Sequence, residues 1–138
     1  MNILNIQNSI KSKLQEEITD LKIESFPSGF QDYLNKFTHP KGALLIHYAG
    51  SDYSEPNNHN LIEQTRKSFF DIYIILKNLI KADEACNYLE QVRNILTGFE
   101  VSGCEKMFPL NDDFILEQNG IWIYAIKFAL LTPLEEEV

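Results

Sequence analysis

The chain has 138 residues, of which 44% are hydrophobic and 23% charged, the balance of one ordinary globular domain. At this size it can bury roughly two thirds of its unfolded surface and needs neither a metal nor a disulfide to fold. Twenty Asp and Glu against twelve Lys and Arg give a formal net charge of -8, and Arg66-Lys67 is the only short basic cluster, which argues against nucleic acid or an anionic membrane as a partner.

The first predicted element is a helix. Ile3, Ile6, Ile10, Leu14 and Ile18 recur at spacings of three and four, with polar residues between them and Asn2 in place to cap. A short strand is expected from Leu21 to Phe26, ended by Pro27-Ser28-Gly29. Phe30, Tyr33, Leu34 and Phe37 then sit at helical spacing, until His39-Pro40-Lys41-Gly42 breaks the run.

Ala43 to Ala49 is apolar apart from His47 and reads as a buried strand, and Gly50 to Asn60 as a long polar loop. That loop is expected to be mobile in the free subunit and ordered in an assembly. A long strand follows, from about Glu63 to Leu76. Phe70, Ile72, Ile74 and Leu76 share one side, while Phe69, Asp71, Tyr73, Ile75 and Lys77 make a mixed side of the kind a neighbouring subunit half covers.

The second main helix carries Ala85, Leu89, Val92 and Leu96 as its stripe, widened by Tyr88 and Ile95, with Asp83 as N-cap and Gly98 at its end. A hairpin then joins Phe114–Gln118 to Ile121–Leu130 through Asn119-Gly120. Trp122, Tyr124, Ile126, Phe128 and Leu130 alternate onto one side of its second strand. Pro133 is expected to stop that strand, leaving an acidic tail over about 132–138. These elements predict an α+β fold: a mostly antiparallel mixed sheet of about five strands with two main helices packed on one face.

No apolar run approaches the roughly 20 residues of a spanning helix, and the first residues do not resemble a signal peptide, so the sequence predicts a soluble intracellular protein. Cys86 falls toward the apolar side of its helix and reads as a buried thiol. Cys104 follows Gly103 in a loop, and a bridge between the two is not expected in a reducing compartment.

Candidate chemistry is sparse. His39, His47 and His59 have no Cys or carboxylate at metal-ligand spacing, and His47, alternating within a strand, is better read as a structural histidine. Asp112-Asp113, placed just before a strand, reads as a turn-former. Ser51, Ser102 and Cys104 lack an elbow that would activate a nucleophile. No phosphate loop is present. The sequence therefore predicts no catalytic residue, no cofactor and no metal. Tyr48, Tyr53, Phe69, Tyr73 and Trp122 are equally compatible with core and with a protein–protein interface.

The run Thr38-His39-Pro40-Lys41-Gly42-Ala43-Leu44-Leu45-Ile46-His47-Tyr48-Ala49-Gly50-Ser51, with Tyr53 after it, resembles the hallmark segment of the Mu-like phage tail terminator family. In the same order, Leu89, Val92-Arg93, Leu96-Thr97-Gly98-Phe99, Gly103-Cys104 and Ile121-Trp122-Ile123-Tyr124 resemble later pieces of that family. The resemblance runs from about Phe26 to Phe128. It departs from the family at His47, where Arg is usual, and at Asn78-Leu79-Ile80-Lys81-Ala82, which lacks the expected glycines.

The resemblance implies a single tail-terminator-like domain over 1–138 and a structural role without catalysis. Such a protein closes into a ring, often a hexamer, that caps the tail tube or sheath, ends polymerisation and offers a neck interface to the head connector. Its place would be the virion tail or an injection-system particle assembled in the host cytoplasm. Its partners would be its own copies, the tube or sheath protein and the connector, with no specific nucleic-acid or membrane contact. An acidic lumen would let DNA pass without sticking. Candidate interface residues on this reading are His47, Tyr48, Ser51, Tyr53, Arg66, Phe69, Tyr73, Arg93 and Trp122. Another head–tail joining protein is the alternative, followed by a small ligand-binding domain.

Overall fold

The computed structural model describes residues 2–57, 60–77 and 83–137. The readings of His59 and of the segment Asn78 to Ala82 lie outside them. In chain order the elements are α1 (Ile3–Glu17), β1 (Lys22–Ser25), α2 (Phe30–Asn35), β2 (Gly42–Tyr53), β3 (Glu63–Lys77), α3 (Asp83–Leu96), β4 (Phe108–Gln118) and β5 (Ile121–Glu135). The strands form a five-stranded sheet in the order β1-β2-β3-β5-β4, antiparallel except for the parallel β1–β2 pair. The fold is α+β, as the sequence pattern predicts.

The helical stripes determine one layer. Ile6, Ile10 and Leu14 of α1 are buried, and Asn2 Oδ1 accepts the Asn5 N–H at 2.8 Å as an N-cap. Ala85, Tyr88, Val92 and Leu96 are the buried residues of α3. Both helices lie on the sheet face made by Leu44, Ile46, Phe70, Ile72, Ile126 and Phe128, which forms the main core. The short helix α2 lies on the opposite face. Its Leu34, with Phe30 and Tyr33, covers Ala43, Leu45, Ile75 and Ile123 in a second, smaller core.

The turn signals have identifiable jobs. His39 Nδ1 accepts the N–H groups of Lys41 and Gly42 at 3.2 and 3.0 Å, closing the turn into β2. Gly98 has φ +81 after the last turn of α3, and its N–H donates to the Met107 carbonyl at 2.8 Å, tying the helix end to the segment before β4. Asn119 and Gly120 have φ 51 and 80, the left-handed pair of a tight hairpin.

Several expectations are corrected. Gly50 to Tyr53 is strand, not loop: β2 passes a bulge at Ala49 and continues opposite Phe69, Ser68, Lys67 and Arg66. The predicted ordering of a mobile loop therefore no longer applies to these four residues. Pro133 does not stop β5, which runs through Glu135 opposite β3, so the acidic tail begins later than 132 and Thr132 is buried. The reason is directional. The Leu131 carbonyl accepts from Glu105 N–H on the side away from β3, and Pro133, two residues on, turns its missing donor to that same side.

β4 begins at Phe108, so Asp112 and Asp113 lie within a strand and not before one. Cys86 is exposed on α3, one position past the buried Ala85, and Cys86 and Cys104 are both free thiols. Asp83, expected as a cap, is itself helical.

One polar cluster joins the segment after α1 to α3 and to the turn before β2. Asp20 Oδ2 accepts from Tyr88 Oη at 2.6 Å and pairs with Lys41 Nζ at 2.8 Å. The bond from Lys41, then that from Tyr88, holds the Asp20 carboxyl below the ordinary carboxylate range of about 4. Folding thus favours the charged form. The stabilisation is present above about pH 4 and is lost as pH falls through the lowered folded value. Both side chains are half exposed, so solvent screens the pair and the effect is modest. Asp20→Asn is expected to flatten the acid limb of stability, measured by urea denaturation between pH 7 and pH 3. An unchanged slope would contradict the linkage.

Candidate interaction surfaces

The sheet face that carries α2 is only partly covered. A six-residue helix spans about 9 Å, whereas a 15-residue strand such as β3 spans about 50 Å. The uncovered part begins at a polar rung across four strands, where His47, Asp71, Lys127 and Asn111 stand opposite one another in register. Lys127 Nζ pairs with Asp71 Oδ1 at 2.9 Å. His47 Nδ1 lies 3.8 Å from Asp71 Oδ2, beyond hydrogen-bond reach, and is buried without a hydrogen-bond partner. The His47 ring packs on Phe26 at 4.8 Å and on Tyr73 at 6.2 Å. Burial, and secondarily the Asp71 charge, raises the Tyr73 phenol above its ordinary value.

Beyond the rung, cations and rings alternate. Lys127 Nζ lies 5.8 Å from the Phe69 ring centre. Lys67 Nζ lies 5.7 Å from Phe69 and 5.8 Å from Phe108. Such contacts hold each ammonium against apolar surface and are each worth about 0.5–1 kcal/mol when exposed. The result is a flat surface of half-buried aromatic and charged side chains with no helix over it among the described residues. Its mixed character is that of an interface rim and core combined.

The other candidates are dispersed. Tyr48, just before the bulge, and Ser51, Tyr53 and Arg66, past it, lie on the helix side of the β2–β3 pair. There Tyr48 Oη meets Ser51 Oγ at 2.5 Å, and Ser51 Oγ meets the buried Ser68 Oγ at 3.0 Å. Tyr53 is exposed. Trp122 stands beside Phe114, 6.1 Å between ring centres, near the hairpin. Arg93 is on α3, bonded to Glu90 at 2.8 Å. The structure therefore brings together His47, Phe69 and Tyr73, and separately Tyr48, Ser51, Tyr53 and Arg66. Trp122 and Arg93 stand apart from both groups.

Sequence reasoning missed Lys67, Lys127 and Phe108 on the first surface, and Leu110, Phe114 and Ile115 on the outer edge of β4. Alternation along β5 placed Lys127 opposite its apolar neighbours. Its partnership with Asp71 needs the β3–β5 register, which no local pattern supplies.

Among the described residues no three His, Cys, Asp or Glu are placed to hold a metal ion, and no helix is long and apolar enough to cross a membrane. A comparison with curated proteins gave no match. Residues 10–137 match the family model described as Gp37 protein, which covers nearly the whole length, and the chain therefore belongs to the Gp37 protein family, a membership that suggests a phage-related protein.

Proposed function

We propose that this subunit is a non-catalytic tail terminator, which closes with its own copies into a ring on the end of a tail tube or sheath and stops its growth. The observation that carries the reading is the flat, half-buried aromatic and charged face left uncovered beside α2, in a chain of a phage-related family. A surface of that composition gains from a protein neighbour and offers no enclosed site to a small substrate. The ordered resemblance from Thr38 to Tyr124 supplies the particular role. A ring needs a head-to-tail contact that closes by rotation, and a hexamer is the expected size. On this reading the chain resides in the virion tail or in an injection particle, and the connector meets the ring's other side.

The test is particles made without the subunit. Tubes of uncontrolled length in electron micrographs are expected, and tubes of normal length would sink the proposal. A point variant sharpens it. Lys67→Glu removes two cation–ring contacts and reverses one charge, so it is expected to cost the fold only about 1–2 kcal/mol. It should nevertheless release tube length control. A soluble, folded Lys67→Glu subunit that still yields tubes of normal length would remove the α2-side face from the contact.

A further inference from the structure

The two edges of the sheet are finished differently. The outer side of β1 lies under α1, where Gln15 Nε2 donates to the Ile23 carbonyl at 3.4 Å and Gln7 Nε2 to Ser25 Oγ at 3.2 Å. β4 forms the opposite edge, with no strand beyond it among the described residues, and every residue from Leu110 to Ile115 is exposed. Register shifts fall between Pro109 and Asn111 and between Phe114 and Leu116. Leu110 and Ile115 are thus the extra residues of two bulges, each without a partner on β5.

A bulge re-aims the side chain it displaces. Here both displaced side chains are large and apolar, Leu110 at 41% and Ile115 at 43% exposure. Phe114 adds 53%, even with its ring edge-on to Tyr124 at 5.3 Å. Solvated edges are usually blunted by charge, most often by lysine. This edge has three bare hydrophobic residues within six positions, and its charges, Asp112, Asp113 and Glu117, are all acidic.

We propose that the β4 edge is a contact surface for a second protein that is basic where it touches, with Leu110, Phe114 and Ile115 as apolar anchors and the three carboxylates as a charged rim. A twofold contact between two copies would set Asp112 and Asp113 against themselves, which like charges oppose. A head-to-tail contact would need a basic surface elsewhere on the chain. Six lysines and Arg93 already hold carboxylates of their own chain. The described lysines without one, Lys11, Lys67 and Lys77, are divided among α1, the first half of β3 and the end of β3, and Arg66 stands on the opposite face of the sheet from Lys67. The occupant that fits is therefore a different chain with uncompensated Lys or Arg around an apolar hollow. The inference goes beyond the terminator reading and does not depend on it.

The test places photo-reactive p-benzoylphenylalanine at Ile115 in the full chain, produced together with the other structural proteins of its particle. The same group at Leu4, exposed on α1, is the control. The expected result is a cross-link from position 115, absent from position 4, to a segment of a different protein with net positive charge. The yield should fall at least tenfold when Asp112→Lys and Asp113→Lys are introduced together, and also with Phe114→Ser. Thermal melts show that each variant is folded. If the lysine pair unfolds, the Asp112→Asn and Asp113→Asn pair takes its place.

A cross-link to a second copy, to a neutral or acidic segment, or one indifferent to these changes would overturn the proposal. So would the absence of any product from position 115. Tubes of normal length in particles lacking the subunit would end the terminator reading while leaving this result untouched.

Discussion

Val92→Asp is expected to leave the chain largely unfolded at 37 °C, the largest effect of any single change considered. Val92 is fully buried on α3, packed into the core shared with α1 and the sheet. A carboxylate there would meet only apolar neighbours, and an uncompensated buried charge costs about 3–5 kcal/mol. Whole domains are stable by only about 5–15 kcal/mol. Urea denaturation followed by circular dichroism would measure it, with Gln91→Asp as the control. Gln91 is exposed on the next position of the helix, and its change should stay within about 0.5 kcal/mol. A Val92→Asp protein that melts like the parent would mean that α3 presents a different side to the sheet.

Gly42→Ala is expected to be nearly as damaging, for a backbone reason. Gly42 opens β2 at φ +158, opposite Leu76 of β3. A Cβ at this position would fall inside contact distance of the Ile75 carbonyl oxygen, a backbone atom that cannot swing away. To make room, the start of β2 must separate from β3, which also disturbs the turn closed by His39. A loss of about 1–3 kcal/mol, as for overpacking in a core, is the expected magnitude, with the upper end favoured because backbone has to move. Thermal unfolding would show it, and Gly29→Ala, whose Cβ would make only an ordinary contact at 3.7 Å with Asp32, isolates the effect from general glycine replacement. Equal melting of the two variants would show that β2 and β3 have room for a side chain at this position.

These two positions also show what the sequence makes legible. The stripe containing Val92 is a local repeat with a helical period, and the same logic located α1 and its Asn2 cap. The Asn119-Gly120 turn needed only its own two residues. Gly42 was recognisable as a chain break, but the carbonyl that forbids a side chain belongs to Ile75, 33 positions later. Strand ends failed for the same kind of reason. Pro133 stays within β5 because β4 no longer donates or accepts at that level, a fact about a neighbour. Cys86 is exposed because one step along a helix rotates a side chain by about 100°, enough to leave a narrow stripe.

The candidate surfaces were the least legible part. His47, Phe69 and Tyr73 lie on three positions of two strands whose pairing had to be known before they could be seen as one patch. The edge hydrophobics Leu110 and Ile115 acquired their exposure from bulges, which depend on how β4 counts against β5. The motif segment itself turned out to serve the fold: His39 and Gly42 build the entry to β2, and Gly98 anchors the end of α3.

The strand order sets a timetable for folding. β5 is synthesised after the other four strands of the sheet, yet it lies between β3 and β4, and its pairing reaches from Glu135 back to Glu63. During synthesis β3 can zip to β2 at once, but its other side stays open until β5 emerges, so most sheet contacts wait on long-range closure, which is slow. Each nascent chain thus leaves that side of β3 unpaired until β5 arrives. The vulnerable interval runs from the emergence of β3 to that of β5, and neighbouring nascent chains on one message can exchange β5 with each other as it emerges.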